Sequence, residues 1–485
     1  MPIHPPPDRP LRTPGPLAGR LLAPLGRLAL VATLVVAFAS VVWACPPGRG
    51  TYRGGHAEPD CHGQRLGAVR WDVRSSHPAV AYDRGSRVLV EVRLRADKIR
   101  AAARRPVAVA LVLDRSGSMR GRKWQDAVDA ARAAVRRLER GDVLTIVSYA
   151  TDVRVDWEAR RYEPRDQDEI LRIIDRMEPG GSTYLEGGLR RAAEQIGRYA
   201  DGERPTRIVL VSDGNANVGV QSPQGLQQIA RNVGQQGVIV STVGLGLDYN
   251  EDLMTALADG GSGSYYYVRD SDRLAETFRT ELDRMMASAA RRIAVRIQPA
   301  QGVHVLRVLG YPHESVGDGG IEVPLGELSS EGERSLLVEL DVRCDARGRR
   351  RLATVELELY DVSGERLLGI ADVDVDATDD MRRVESERDM EVVGRHEEHR
   401  LADEMRESAE MVSRGEGGAA QQRLRAAAQR AREVARKGGS KALAKAADEA
   451  ESRAEAAPSA AAGPSDARED YKKSMKAKAY DYQKR

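Results

Sequence analysis

Aromatic side chains are scarce in this chain. It has two Phe, and Phe, Trp and Tyr together make up 4% of 485 residues. Base stacking has little to work with. The 75 Lys and Arg nearly cancel 73 Asp and Glu, so no global positive field awaits a polyphosphate. Nucleic acid is therefore not an expected partner. The eight His residues are also sparse, and none lies between 105 and 290. That disfavours a hydrolase in the middle of the chain, because hydrolysis needs a positioned base. There are three Cys, at 45, 61 and 344. An odd count in an exported protein leaves one of them modified or free. Either Cys45 is modified and Cys61 is left with Cys344, or Cys45 and Cys61 close a Gly/Pro-rich loop. Only one long apolar run exists, Leu28 to Ala44, so the chain cannot form a multi-span pore by itself. A complete dinucleotide fingerprint is lacking as well. Gly244-x-Gly246 has neither the third glycine nor the later acidic residue, and reads as a tight strand-to-helix turn. No nucleotide is expected.

The apolar run is preceded by Arg20 and Arg27 and by a Pro- and Arg-rich stretch. Its length suits a signal h-region, and the positive flank favours export of the chain beyond it. Residues 1–50 are therefore read as a signal or anchor segment. Three outcomes stay open: cleavage at Ala37-Phe38-Ala39, retention as a membrane anchor, or lipidation of Cys45 in Val42-Trp43-Ala44-Cys45. The expected location is the periplasm or cell surface, with the membrane reached through this segment.

The richest stretch is VAVALVLDRSGSM, residues 107–119. Val107 to Leu113 reads as a strand buried on both faces. It ends in Asp114-Arg115-Ser116-Gly117-Ser118, and a helical pattern comes next. Ligands bind at the carboxyl ends of such strands. Ser and Asp also cap helices, which is the commoner reason for such a triplet standing alone. Two later stretches change the balance. Thr183 comes after Gly180-Gly181-Ser182 just before a second helical pattern. Asp213 ends the buried run Arg207 to Ser212 and precedes Gly214-Asn215. Two carboxylates and three hydroxyls would then meet at one sheet edge. Such a set suits Mg²⁺, or Mn²⁺, better than a carboxylate-rich Ca²⁺ cage.

These motifs resemble the von Willebrand factor type A domain and its metal-ion-dependent adhesion site. Asp114-x-Ser116-x-Ser118, Thr183 and Asp213 match in order and spacing. The resemblance implies direct coordination by Ser116, Ser118 and Thr183, with Asp114 and Asp213 acting through water. A partner protein's Glu or Asp would complete the shell. The wording DRSGSM, SDGNANVG and VGLGLDYNEDL is similar to bacterial proteins akin to inter-alpha-trypsin-inhibitor heavy chains and calcium-activated chloride channel regulators. The function so implied is metal-dependent protein binding without catalysis. The alternatives are a metal-dependent hydrolase or an accessory subunit of a membrane transport or channel assembly.

Alternating strands and helices over 105–290 predict an α/β fold with a doubly wound, mostly parallel sheet. Short strands over 65–104 and 291–377 predict one β-sandwich into which the α/β domain is inserted. Residues 380–456 are rich in good helix formers. Within them His396-Glu397-Glu398-His399 misses the metalloprotease spacing by one residue. Residues 457–485 read as a disordered basic tail, with Lys472, Lys473, Lys476, Lys478 and Lys484 among Tyr471, Tyr480 and Tyr482.

Overall fold

The computed structural model describes residues 64–99, 106–200, 204–213, 216–247, 249–269 and 274–484. The signal or anchor segment with Cys45, and also Cys61, lie outside the described residues. Cys344 is buried.

The chain opens with strands β1 (Gln64–Leu66), β2 (Val69–Ser75), β3 (Ala79–Ala81) and β4 (Ser86–Ala96). The α/β alternation begins with β5 (Ala108–Asp114), α1 (Arg122–Arg136), β6 (Val143–Tyr149), β7 (Val153–Arg161), α2 (Gln167–Asp175) and α3 (Leu185–Gly197). It continues through β8 (Thr206–Ser212), α4 (Pro223–Gln235), β9 (Ile239–Leu245), α5 (Glu251–Gly260), β10 (Ser262–Val268) and α6 (Leu274–Met286). Next come β11 (Ser288–Pro299), β12 (Val303–Leu309), β13 (Glu314–Ser315), β14 (Ile321–Ser329), β15 (Glu333–Val342), β16 (Gly348–Tyr360) and β17 (Arg366–Thr378). The chain ends in α7 (Met381–Ser386), α8 (Met390–Ser413), α9 (Gly417–Gly438), α10 (Lys441–Ala462) and α11 (Ser465–Lys484).

The middle sheet has the order β10-β9-β8-β5-β6-β7. Its pairs are parallel except β6 with β7, where the edge strand runs antiparallel. β5 is central because it is apolar on both faces. Val109, Leu111 and Leu113 pack with Trp124, Ile170 and Phe278 from α1, α2 and α6. Ala108, Ala110 and Val112 pack with Leu189, Leu226 and Leu253 from α3, α4 and α5. Exposing either face would forgo about 1.5–3 kcal/mol for each large side chain, so the strand is stable only between two helix layers. This is a doubly wound α/β arrangement. It aims the carboxyl ends of β5 and β8 at one crown.

The other strands form two sheets, β1-β2-β4-β15-β12 and β13-β14-β11-β16-β17-β3. Strands from before and after the α/β region share both. β4 pairs antiparallel with β15 from Ser86↔Val342 to Arg95↔Glu333, and β3 pairs parallel with β17. Their inner faces meet in one core that includes Trp71, Val90, Val295 and Leu357. β14 escaped the sequence pattern because Pro324 and Gly326 interrupt it. Gly326 has φ +78° and sits at a register shift against Ile293, a bulge that the missing Cβ permits.

One expectation is corrected. The tail read as disordered is helical over its described residues: its first residues complete α10, and Ser465–Lys484 forms α11. Tyr471, Met475, Ala479 and Tyr482 recur at helical spacing and are buried against the C-terminal helices. Tyr480 joins the α/β core. The lysines that suggested a solvated tail find carboxylates within the chain. Lys473 and Lys476 reach Glu251 at 2.8 and 2.9 Å, and Lys476 reaches Glu410 at 2.7 Å. Among the described residues no helix is long and apolar enough to cross a membrane.

Candidate metal centre

The crown is organised by hydrogen bonds that tie three loops together. Asp114 ends β5 and is fully buried. Its Oδ1 accepts from the Ser116 backbone N–H at 2.8 Å, and its Oδ2 from the Ser212 hydroxyl at 2.6 Å. The Ser116 and Ser118 hydroxyls lie 3.0 Å apart. Ser118 donates to Oδ1 of Asp213 at 2.8 Å. Asp213 is also fully buried and Ser116 nearly so, whereas Ser118 is exposed. Burial pushes the Asp114 carboxyl above its usual range, and the bonds from Ser212 and Ser116 pull it only part of the way back.

Thr183 is carried on a loop latched to the first one. The Gly180 N–H donates to the Arg115 carbonyl at 2.6 Å, and the Gly117 N–H to the Gly181 carbonyl at 3.0 Å. Gly181 has φ +90°, and a Cβ there would stand 2.7 Å from the Thr151 hydroxyl, so only glycine closes this turn. The Thr183 N–H donates to the Asn217 side chain at 2.8 Å, and the Asn217 N–H returns to the Thr183 carbonyl at 3.2 Å. Thr183 is buried beside this crown. Below it, Tyr149 is the β6 neighbour of Asp114 and lies against Gly188, where a Cβ would meet the ring at 2.5 Å. Burial, and then the Asp114 charge, hold its phenol well above the usual range.

Asp114, Ser116, Ser118 and Asp213 are therefore one hydrogen-bonded cluster, and Thr183 stands on the loop bound to it. Among the described residues no group of three or more His, Cys, Asp or Glu could hold a metal. A cation here would rely on hydroxyls. The donor set fits one: octahedral coordination at about 2.1 Å places neighbouring oxygens about 3.0 Å apart, close to the Ser116–Ser118 and Ser118–Asp213 separations.

Sequence reasoning missed several supporting residues. Ser212 and Asn217 hold Asp114 and Thr183, yet a lone Ser or Asn near a motif carries no distinctive signal. Arg115 is buried and anchors the first loop through the Ser148 hydroxyl and Asp152. Lys123, in the first turn of α1, places its ammonium 2.5 Å from Oδ2 of Asp213. At residues 396–399, Glu397, Glu398 and His399 are buried in α8.

Known proteins share this fold. Residues 108–280 match the family model for the von Willebrand factor type A domain. Over 204 residues the chain is 29% identical to YfbK of Escherichia coli, an uncharacterized protein, across 41% of this chain and 35% of that one. Over 187 residues it is 27% identical to human inter-alpha-trypsin inhibitor heavy chain H3, across 36% of this chain and 21% of that one. The chain thus spans about a third or less of the length of these curated relatives. The solved von Willebrand factor type A protein from Catenulispora acidiphila superposes with a TM-score of 0.61 at 19% identity, covering 76% of this chain and 87% of that one. It shares the fold. Sequence and fold agree: this chain carries a von Willebrand factor type A domain at residues 108–280.

Proposed function

We propose that this chain is an exported envelope protein that binds a divalent cation at the crown of its type A domain and captures a protein partner there. Ser116, Ser118 and Thr183 would hold the ion directly, with Asp114 and Asp213 behind them. Mg²⁺ or Mn²⁺ suits the set, since small hard cations favour a few oxygens and retained waters. The observation that carries this reading is the single cluster of Asp114, Ser116, Ser118 and Asp213 drawn from two strand ends. Two carboxylates against a doubly charged ion, with neutral hydroxyls making the contacts, leave the ion receptive to an acidic side chain. We propose binding, not catalysis: all eight His lie outside 105–290, and the Ser118 and Ser212 hydroxyls are tied to carboxylates. The N-terminal apolar run would direct export and hold the protein at the membrane.

Calorimetric titration of Mg²⁺ and Mn²⁺ into the full chain tests the reading, beside Asp114→Ala and Thr183→Ala. Wild type should show saturable one-site binding that both substitutions abolish. Folded wild type that takes up neither ion sinks it.

A further inference from the structure

Both oxygens of the buried Asp213 carboxylate are engaged, by different chemistry. Oδ1 accepts the Ser118 hydroxyl at 2.8 Å and Oδ2 meets the Lys123 ammonium at 2.5 Å. The lysine is held from two sides. It rises from α1 immediately behind the Asp-x-Ser-x-Ser loop, and its stem abuts the β9–α5 turn. There Gly246, at φ +77°, leaves room that a Cβ would take up 3.0 Å from Lys123 Cε. A side chain on a solvated helix face would be free to point away; this one is aimed at a fully buried carboxylate of the crown.

We propose that Lys123 is an internal competitor for the divalent cation: its fixed positive charge on Asp213 sets the metal affinity of the crown low. This rests on the metal reading above. The two carboxylates of the cluster carry two negative charges, and Lys123 offsets one of them. An arriving ion therefore meets repulsion from an ammonium on the far oxygen of one of its own carboxylates. Attraction to the bare site is reduced, and the ion held there keeps more of its positive charge for an outside ligand. Lys123 thereby makes metal binding weaker alone than in the presence of an acidic partner. By linkage, the partner's carboxylate must tighten the metal as much as the metal tightens the partner. Lys123 is a positioning residue, acting through Asp213.

The test titrates Mn²⁺ and Mg²⁺ into the full-length protein as wild type, Lys123→Gln, Lys123→Met and Lys123→Arg. Each is also melted in EDTA, which reads the fold without the metal. Glutamine keeps a neutral hydrogen-bond donor near Asp213, methionine removes it, and arginine keeps the charge. The two neutral variants should bind each ion on the order of tenfold more tightly, while arginine binds like wild type. In EDTA the methionine variant should melt lower, since Asp213 is left buried without a counter-charge. The glutamine variant covers the case in which methionine does not fold. Unchanged or weaker metal binding by a folded neutral variant overturns the competition and leaves the metal site standing. No saturable binding by wild type or any variant overturns the metal site, and the competition with it.

Discussion

β8 carries a buried charge cluster at each end, and the two are built differently. At its amino end the Arg207 guanidinium bonds Glu281 of α6 and, at 2.6 Å, Glu327 of β14. All three side chains are buried. Burial alone would raise the Glu281 carboxyl, but Arg207, Tyr266 and Ser241 outweigh it and hold it below the usual range. At the carboxyl end Asp213 stands beside the crown, where Asp114 is buried with a raised carboxyl and only hydroxyls and one N–H to bond it. The lower cluster is closed in charge, because Arg284 also stands 3.7 Å from Glu281 and gives it a second cation, and Arg207 ties the α/β domain to the sandwich. The upper one is under-neutralised and opens through the exposed Ser118. Equal burial thus serves opposite purposes: charges matched in number seal an interface, and charges left short attract a ligand.

Removing charge from each end should expose the contrast. The largest effect is expected from Arg207→Met, which leaves two carboxylates buried without their cation. It should cost about 3–5 kcal/mol, read by denaturant unfolding. A loss below about 1 kcal/mol would show that the lower cluster is not closed and would break the comparison. Lys473→Met should cost less, about 2 kcal/mol. It strips a buried ammonium from the Tyr249 carbonyl at 2.6 Å, but Glu251 keeps Lys476.

The same contact gives a pH test. Burial would raise the Glu251 carboxyl, yet the bonds from Lys473 and Lys476 bring it down from 4.5 to about 2. A carboxyl depressed in the folded state stabilises fully above its unfolded value, and that contribution is lost as pH falls through the folded one. Stability should therefore decline between pH 4.5 and about 2. Glu251→Gln should flatten that stretch of the melting-temperature profile, and an unchanged slope would assign the decline to other carboxylates.

How legible each part was in the sequence depends on how local its cause is. β5 could be read because seven consecutive residues are buried on both faces. The crown could be read because Asp114, Ser116 and Ser118 share one turn, and because Thr183 and Asp213 also stand at the ends of apolar patterns. Lys123 could not, since one lysine on an amphipathic helix looks the same whether solvent or a carboxylate 90 residues away receives it. α11 was hidden for a related reason. Its buried stripe uses Tyr, Met and Ala among lysines, and the carboxylate that pairs Lys473 lies 222 residues away. The sandwich was visible as alternating strands, but pairing across the inserted domain is a tertiary fact.

The smallest stability change is expected from Asp114→Asn, and it is the sharpest test of the contrast. An asparagine oxygen can still accept the Ser116 N–H, and its amide can donate to the Ser212 hydroxyl. Only the charge is lost, and in the absence of metal that charge is a burden. A carboxyl whose folded pKa is raised withdraws stability as pH rises through it. In EDTA at neutral pH the variant should stay within about 1 kcal/mol of wild type or exceed it, because replacing an incompletely paired buried charge with a neutral group of similar shape is often neutral or favourable. Metal binding should vanish in the same protein. A loss of about 3 kcal/mol or more would place Asp114 in the class of Arg207, as a structural charge whose removal breaks the fold. Both ends of β8 would then be scaffolding, and the crown would have no reserve of uncompensated charge with which to hold an ion.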